Sequence, residues 1–178
     1  MIEARIAPFI NVAFTVTSEW WEQPRNHRGL DIATGNNDIL YSMCNGTIVY
    51  KGYEAEGYGN YIIIKDSSTN MGFLYAHMKE PSNKNLYDDV VIGEQVGIEG
   101  ATGDVTGIHL HLEMQDLTNH EWIYHAPKET YTNPAEFMGI PNIEGTVSIY
   151  YGVIPTTKYK SSFKWVLYAN KIRSRVIS

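Results

Sequence analysis

The segment that decides the fold is Gly107-Ile108-His109-Leu110-His111-Leu112-Glu113. Apolar and polar residues alternate in it, which is typical of a β-strand with one buried face. Side chains two positions apart on a strand project from the same face, so His109, His111 and Glu113 would lie together. Two imidazoles and a carboxylate on one face form either a solvated surface or part of a metal site. The remaining sequence must decide between these two interpretations.

Two other segments supply side chains that could complete a metal site. His27 and Asp31 lie four residues apart in His27-Arg28-Gly29-Leu30-Asp31, and His77 follows the apolar pair Tyr75-Ala76. A catalytic zinc ion usually takes three protein ligands and keeps a fourth position open for water. His27, Asp31 and either His109 or His111 make such a set, and strand spacing alone does not tell which strand histidine is the ligand. The two histidines left over would suit general acid–base catalysis and oxyanion stabilisation.

Taken in order, the patterns His27-x-x-x-Asp31, Tyr75-Ala76-His77 and His109-x-His111 resemble those of the M23 family of zinc metallopeptidases, the lysostaphin-like or LytM-type endopeptidases. The segments 44–49, 57–61, 93–97, 103–107 and 133–137 also agree with the family pattern. The resemblance covers roughly residues 10 to 140. Trp20 and Trp21 depart from it, because the family often has Ser-x-aromatic-Gly at this place.

The resemblance implies a function and a role for each site residue. The chain is expected to be a zinc-dependent endopeptidase that hydrolyses peptide bonds in bacterial peptidoglycan stems or cross-bridges through a metal-activated water. His27, Asp31 and His111 would bind Zn²⁺. His109 would take a proton from the water, and His77 would donate to the oxyanion or to the leaving amine. Rival functions are a non-catalytic M23-like scaffold and a phage tail or virion-associated structural protein with local wall-degrading activity.

Several residues near these motifs have two open interpretations. Glu113 either orients an imidazole or is an ordinary strand carboxylate. Trp20 and Trp21 either line the cleft or cover the core, and the same choice applies to Tyr58, Tyr61, Trp122 and Tyr124. His120 and His125 lie outside the matched motifs, and we expect both to be surface or edge residues.

The distribution of apolar segments predicts an all-β fold with an antiparallel sheet core and long flanking loops that form a groove. Short β-branched and aromatic runs alternate with glycine-rich turns, and the sequence has no long amphipathic helix. We expect a first strand over residues 9–17, and strands over 39–41 and 46–50 joined by a hairpin turn at Asn45-Gly46. Residues 61–65 should form a central strand covered on both faces, paired with 71–77. This agrees with the lysostaphin-like peptidase fold that the resemblance implies.

Composition narrows the possible partners and surroundings. The chain has 178 residues, 43% of them hydrophobic, and a net charge of −6, which disfavours nucleic acid as the main partner. No apolar run approaches the ~20 residues that span a bilayer. Polar and charged residues interrupt the first 18 positions, so no signal peptide is apparent. The single cysteine, Cys44, excludes an intrachain disulfide and is expected to be buried.

Charge divides the chain into two parts. All 20 acidic residues precede position 146, whereas residues 146–178 carry six basic residues and no acidic one: Lys158, Lys160, Lys164, Lys171, Arg173 and Arg175. We therefore predict an M23-like domain over residues 1–140 and a basic C-terminal extension over 141–178. The extension could dock on the acidic body, bind anionic wall polymers, or join a virion or tail assembly. The resemblance implies an extracellular or virion-associated location, at the cell wall.

Overall fold

The computed structural model describes residues 2–3, 6–145 and 149–150, and this part of the chain is almost entirely β. The single α-helix in it is the five-residue α1 (Pro134–Met138), preceded by a 3₁₀ turn at Lys128–Thr130. The strands are β1 (Ile2–Glu3), β2 (Ala13–Ser18), β3 (Leu30–Ala33), β4 (Ile39–Tyr41), β5 (Gly46–Glu54), β6 (Gly59–Asp66), β7 (Met71–Met78), β8 (Asp89–Val90), β9 (Gln95–Ile98), β10 (Leu110–Asp116) and β11 (Ile149–Tyr150). The all-β prediction is confirmed.

Most of the strands belong to one large sheet. Nine of them follow the order β1-β11-β2-β3-β10-β7-β6-β5-β8, and β4 and β9 pair separately. Each described pair of neighbours is antiparallel except β1 and β11. Strand β10 lies in the middle, between β3 and β7, so the segment that carries the paired histidines is flanked by the strands that carry Asp31 and His77. The basic residues of the extension lie outside the described part of the chain.

The predicted hairpin at Asn45-Gly46 is wrong. Strand β4 pairs with β9, whereas β5 pairs with β6 and β8. Residues between β4 and β5 turn into the core instead, since Met43 and Cys44 are both buried. Side chains there satisfy the backbone, because the Ser42 hydroxyl donates to the Cys44 carbonyl at 2.7 Å and the Met43 amide donates to the Tyr75 hydroxyl at 3.0 Å. A long-range contact with β7 therefore overrides a local turn signal.

The other strand predictions are confirmed: β4 has the predicted bounds, and the remaining strands have shifted ends. The first strand begins at Ala13 and not at Phe9, which is buried in the core before the strand starts. Residues 61–65 lie in β6 and pair with β7, with Ile63 opposite Leu74. Cys44 is buried as expected, and burial raises the pKa of its thiol.

Apolar side chains cover both faces of the central strands. Ile62 and Ile64 of β6 belong to the main core, and Ile63 between them belongs to a smaller cluster on the opposite face. This explains the continuous apolar sequence of β6, because neither face of the strand is left to solvent. Strand β10 directs Leu110 and Leu112 into the main core. Its polar side chains therefore project from the face that carries the smaller cluster. None of the helices in the described residues is long and apolar enough to cross a membrane.

Candidate metal centre

The register between β3 and β10 brings the first two candidate ligands together. Asp31 and His111 are direct partners across this antiparallel pair. Directly opposed side chains share one face of a sheet, with Cβ atoms about 4.5–5.5 Å apart. The Asp31 Oδ1 atom accordingly lies 2.8 Å from the His111 Nδ1 atom. Both side chains are largely buried, with about one tenth of each exposed.

The loop before β3 brings the third candidate ligand. His27 Nε2 lies 3.1 Å from Asp31 Oδ1 and 3.1 Å from His111 Nδ1, which completes a triangle of donor atoms. The loop crosses the His111 ring so closely that a Cβ at Gly29 would lie 2.5 Å from the ring. A side chain larger than glycine at position 29 would therefore displace the imidazole or the loop.

The outer nitrogens of the two imidazoles determine what the inner ones can do. His27 Nδ1 lies 2.8 Å from the Glu19 carbonyl oxygen, which can only accept, so this nitrogen carries the proton and donates. His111 Nε2 lies 3.0 Å from Glu113 Oε1 and donates to it in the same way. In the neutral rings, His27 Nε2 and His111 Nδ1 are left with lone pairs that face each other and the Asp31 oxygen. Without metal, a proton on His111 Nδ1 relieves the repulsion by donating to Asp31 Oδ1; once that proton leaves, three electron pairs converge at 2.8–3.1 Å and a metal cation can replace it.

The triangle fits a tetrahedral ion. Ligand bonds of ~2.0–2.1 Å correspond to edges of about 3.3 Å in a tetrahedron, and the observed edges are 2.8–3.1 Å. The surrounding charges also favour a cation. Burial lowers the pKa of His111, but its hydrogen bonds to Asp31 and Glu113 outweigh burial and raise it to about 10. Burial raises the pKa of Asp31, but His111 and His27 shift it well below its usual value. Zinc ligands and their outer hydrogen bonds typically have this arrangement.

His77 and His109 lie beside the triangle. His109 precedes β10 and forms an isolated bridge with Gly100, and its Nε2 atom lies 3.8 Å from Asp31 Oδ1. The His77 and His109 ring centroids are 4.9 Å apart. His109 Nδ1 lies 2.9 Å from the Gly107 carbonyl, and His77 Nδ1 lies 2.9 Å from the Thr102 carbonyl. Both rings therefore donate from Nδ1, and both have an Nε2 lone pair when neutral.

Burial and neighbouring imidazoles keep His77 neutral. The desolvation of its ring, followed by the proximity of His111 and His109, lowers the pKa of His77 to about 4. Its backbone has a φ of 61°, which is uncommon for a residue other than glycine. Strained backbone of this kind often occurs at functional sites. The structure thus brings all five sequence-predicted site residues together.

Glu113 connects the triangle to the smaller cluster. Its side chain is 2% exposed, so the solvated polar face is excluded for this residue. The Tyr58 hydroxyl donates to Glu113 Oε1 at 2.9 Å, on the same oxygen that accepts from His111. The sequence pattern left the role of Glu113 open. The hydrogen bonds that Glu19 and Thr102 accept from His27 and His77 could not be predicted from the sequence. Both residues accept through their backbone carbonyls, which no side-chain pattern reveals.

An open cleft of about 470 Å³ contains this group of residues. Its lining comes from the loop before β3, the end of β5 and the β5–β6 turn, the loop before β10, strands β3, β7 and β10, and the segment after β10: Arg25, Asn26, His27, Arg28, Asp31, Glu54, Glu56, Gly57, Tyr58, His77, Asp104, Val105, Thr106, His109, His111, Glu113 and His125. His125 is exposed at the edge of the cleft, and His120 is exposed away from it. Trp20 and Trp21 do not line the cleft. Trp20 packs on the main core, and Trp21 contacts Tyr131.

Comparison with known proteins identifies the family. The sequence model of peptidase family M23 matches residues 25–125, which include all five site residues. The chain belongs to peptidase family M23. The match covers both histidine-bearing loops and the strands that connect them, so the family assignment and the observed site involve the same segments.

Relatives and solved structures agree with the assignment. The DD-carboxypeptidase/endopeptidase Mpg of Neisseria meningitidis is 36% identical over 89 residues, which are 50% of this chain and 20% of Mpg. The murein hydrolase activator NlpD of Escherichia coli is 30% identical over 89 residues, 50% of this chain and 23% of NlpD. This chain thus spans about a fifth of the length of these relatives. Lysostaphin from Staphylococcus simulans superimposes with a TM-score of 0.60 at 24% identity, covering 84% of this chain and 59% of lysostaphin, which shows a shared fold.

Proposed function

We propose that this chain is a zinc-dependent endopeptidase that cleaves peptide bonds in the stems or cross-bridges of bacterial peptidoglycan, outside the cell. One observation carries the proposal. The outer nitrogens of His27 and His111 are occupied by hydrogen bonds, so that the inner nitrogens of both rings and the Asp31 carboxylate meet within 2.8–3.1 Å. The names of two relatives support the substrate, since NlpD is a murein hydrolase activator and Mpg is a DD-carboxypeptidase/endopeptidase.

In this proposal His27 Nε2, Asp31 Oδ1 and His111 Nδ1 hold the zinc ion. Zinc held there would supply Lewis-acid activation of water and polarisation of the scissile carbonyl. His109 accepts the proton of the attacking water, because its Nε2 lone pair lies on the side of the triangle, 3.8 Å from Asp31 Oδ1. General bases typically contribute about 10²–10⁴-fold to the rate.

His77 has a stricter requirement. Its Nδ1 proton is held by the Thr102 carbonyl, so it can donate to the oxyanion or the leaving amine only from a protonated Nε2. The low pKa of His77 makes that protonated form a strong acid and short-lived. We propose that, during turnover, His77 Nε2 receives the proton that His109 has taken from the attacking water and releases it to the leaving amine, so that both rings, whose centroids are 4.9 Å apart, end the cycle neutral.

Wall digestion tests the proposal. Purified cell walls of several cross-bridge types are incubated with the zinc-loaded protein, with and without chelator, and new amine termini are identified by mass spectrometry. We expect cleavage of at least one wall type, its loss with chelator or in Asp31→Ala, and no loss in the control His120→Ala. Intact walls of every type, with zinc bound, would contradict the proposal.

A non-catalytic role is the second candidate. It is favoured by the similarity to NlpD, which is named as an activator of murein hydrolases. An activator would bind walls or a hydrolase without releasing new amine termini on its own. The third candidate is a particle-bound protein with local wall-degrading activity. In that case, the basic residues after position 145 would attach the protein to a virion or tail.

A further inference from the structure

The cleft has opposite charges on its two sides. Glu54 and Glu56 at the β5–β6 turn and Asp104 on the loop before β10 are exposed on one side. The Asp104 amide donates to the Gly57 carbonyl at 3.0 Å, which holds this acidic side together. The loop before β3 forms the other side and carries Arg25 and Arg28. Three strand spacings in the sheet order, about 14 Å, separate β3 from β6.

Arg28 is the unpaired cation of the lining. Arg25 is bonded to Glu22 and to the Ser18 hydroxyl. Arg28, in contrast, has a buried Nε atom without a hydrogen-bond partner, and none of the described carboxylates forms an ion pair with it. Buried polar groups nearly always have a partner, and an unpaired guanidinium beside an open cleft suits a ligand that carries an acceptor.

The backbone fixes Arg28 close to the metal centre. Arg28 follows His27 directly and precedes Gly29, whose backbone touches the His111 ring. A peptide in a cleft advances ~3.3–3.6 Å per residue, and an extended arginine side chain reaches about twice that distance. The guanidinium therefore meets substrate groups within about two residues of the scissile bond.

We propose that Arg28 is a specificity-determining residue that binds a carboxylate of the peptide substrate, so that the cleft selects charged stem peptides over uncharged oligoglycine. The inference rests on the proposed function and names the substrate class of the same site. The planar fork of the guanidinium binds a carboxylate through two parallel hydrogen bonds. The acidic side opposite repels a carboxylate, so Arg28 also sets the direction in which the substrate lies.

The competing explanation is a structural one. Arg28 and Glu113 both act electrostatically on Tyr58, in opposite directions. Arg28 could thus serve only to balance the buried Glu113 carboxylate. In that case, replacing Arg28 would lower the thermal stability or the zinc affinity and weaken the binding of every peptide equally.

Calorimetric titration of the zinc-loaded protein separates the two explanations. The probes are acetyl-L-alanyl-D-isoglutaminyl-L-lysyl-D-alanine, in which the terminal carboxylate is the only one, the same peptide as a carboxamide, and acetyl-pentaglycine amide. We expect the wild type to bind the carboxylate form about 10- to 100-fold more tightly than the carboxamide, the usual range for one charge-assisted pair. Acetyl-pentaglycine amide should bind no better than the carboxamide.

Matched variants complete the test. Arg28→Gln should bind the carboxylate form as weakly as the carboxamide with no change for the carboxamide, Arg28→Lys should restore part of the preference, and Arg25→Gln should keep all of it. Equal binding of the two forms by the wild type would overturn the inference, and this comparison stands even if Arg28→Gln does not fold. Equal weakening of both forms in Arg28→Gln would establish the structural explanation instead. A preference for the carboxylate in a protein that leaves walls intact would support the cleft assignment and reject the proposed hydrolysis.

Discussion

Replacing Glu113 by alanine should weaken both zinc binding and the metal-free fold, by similar free energies. Glu113 Oε1 accepts from His111 Nε2 at 3.0 Å and from the Tyr58 hydroxyl at 2.9 Å, in a position that is 1% exposed. The first bond holds the His111 ring so that Nδ1 faces Asp31. Losing such an outer partner typically costs 10- to 100-fold in metal affinity, or about 1.4–2.7 kcal/mol.

The matched variants divide this effect between the two hydrogen bonds. Glu113→Gln keeps an acceptor oxygen and should lose less zinc affinity than Glu113→Ala. Tyr58→Phe removes only the second bond, so its zinc dissociation constant should change by a few-fold at most. Glu113→Ala also leaves the buried Tyr58 hydroxyl unpaired, which should lower the free energy of unfolding by about 1–3 kcal/mol even without metal.

Competition with a chromophoric zinc chelator gives the affinities, and thermal unfolding in excess chelator gives the stability of the metal-free protein. The reasoning is refuted if Glu113→Ala unfolds at a lower temperature but binds zinc within two-fold of the wild type. It is also refuted if Tyr58→Phe loses as much zinc affinity as Glu113→Ala.

Further predictions concern the remaining site residues and the extension. Asp31→Asn should lower zinc affinity far more than His109→Ala, because Asp31 supplies a charged ligand atom and His109 is not a ligand. The same chelator competition measures both affinities. His109→Ala should keep its zinc but lose about 10²–10⁴-fold in kcat on a soluble peptide, and retention of wild-type kcat would argue against its role as base. In metal-free protein the unfolded chain takes up a proton at His77 near pH 6.5, whereas the folded chain does so only near pH 4. The wild type should therefore lose up to about 3 kcal/mol of stability relative to His77→Gln as the pH falls through this window, and parallel stability curves from chemical denaturation would contradict the low pKa. Deleting residues 146–178 should weaken sedimentation with purified walls but spare cleavage of a soluble peptide, and equal wall binding with and without the extension would rule out a targeting role.

The sequence predicted the site better than it predicted the local folding around it. Two-residue alternation placed His109, His111 and Glu113 on one face, and two of the alternating apolar residues, Leu110 and Leu112, lie in the core as expected, whereas Ile108 does not. The resemblance to the M23 family, based on the order of the three motifs, predicted that Asp31 and His77 belong to the same site. Such patterns suffice because the site consists of side chains on or next to three neighbouring strands, in the order β3-β10-β7.

The features that the sequence did not reveal depend on long-range contacts. The Asn45-Gly46 turn signal failed because Met43 lies in the core, where its amide donates to the Tyr75 hydroxyl, 32 positions further along the chain. The polar face of β10 is buried rather than solvated, since the Tyr58 side chain covers Glu113. The tautomers of His27 and His111 depend on the Glu19 carbonyl and on the Glu113 carboxylate, respectively. The Glu19 carbonyl belongs to the backbone, so the residue type does not indicate this role. Roles of this kind require coordinates.

The central claim is that three donor atoms hold one zinc ion, and anomalous X-ray diffraction at the zinc edge tests it most directly. The account predicts one anomalous peak per chain, bonded to His27 Nε2, Asp31 Oδ1 and His111 Nδ1 at ~2.0–2.2 Å, and no peak in crystals of Asp31→Ala grown in the same zinc concentration. A zinc-soaked crystal with no peak in this triangle, or with a peak that survives in Asp31→Ala, would contradict it.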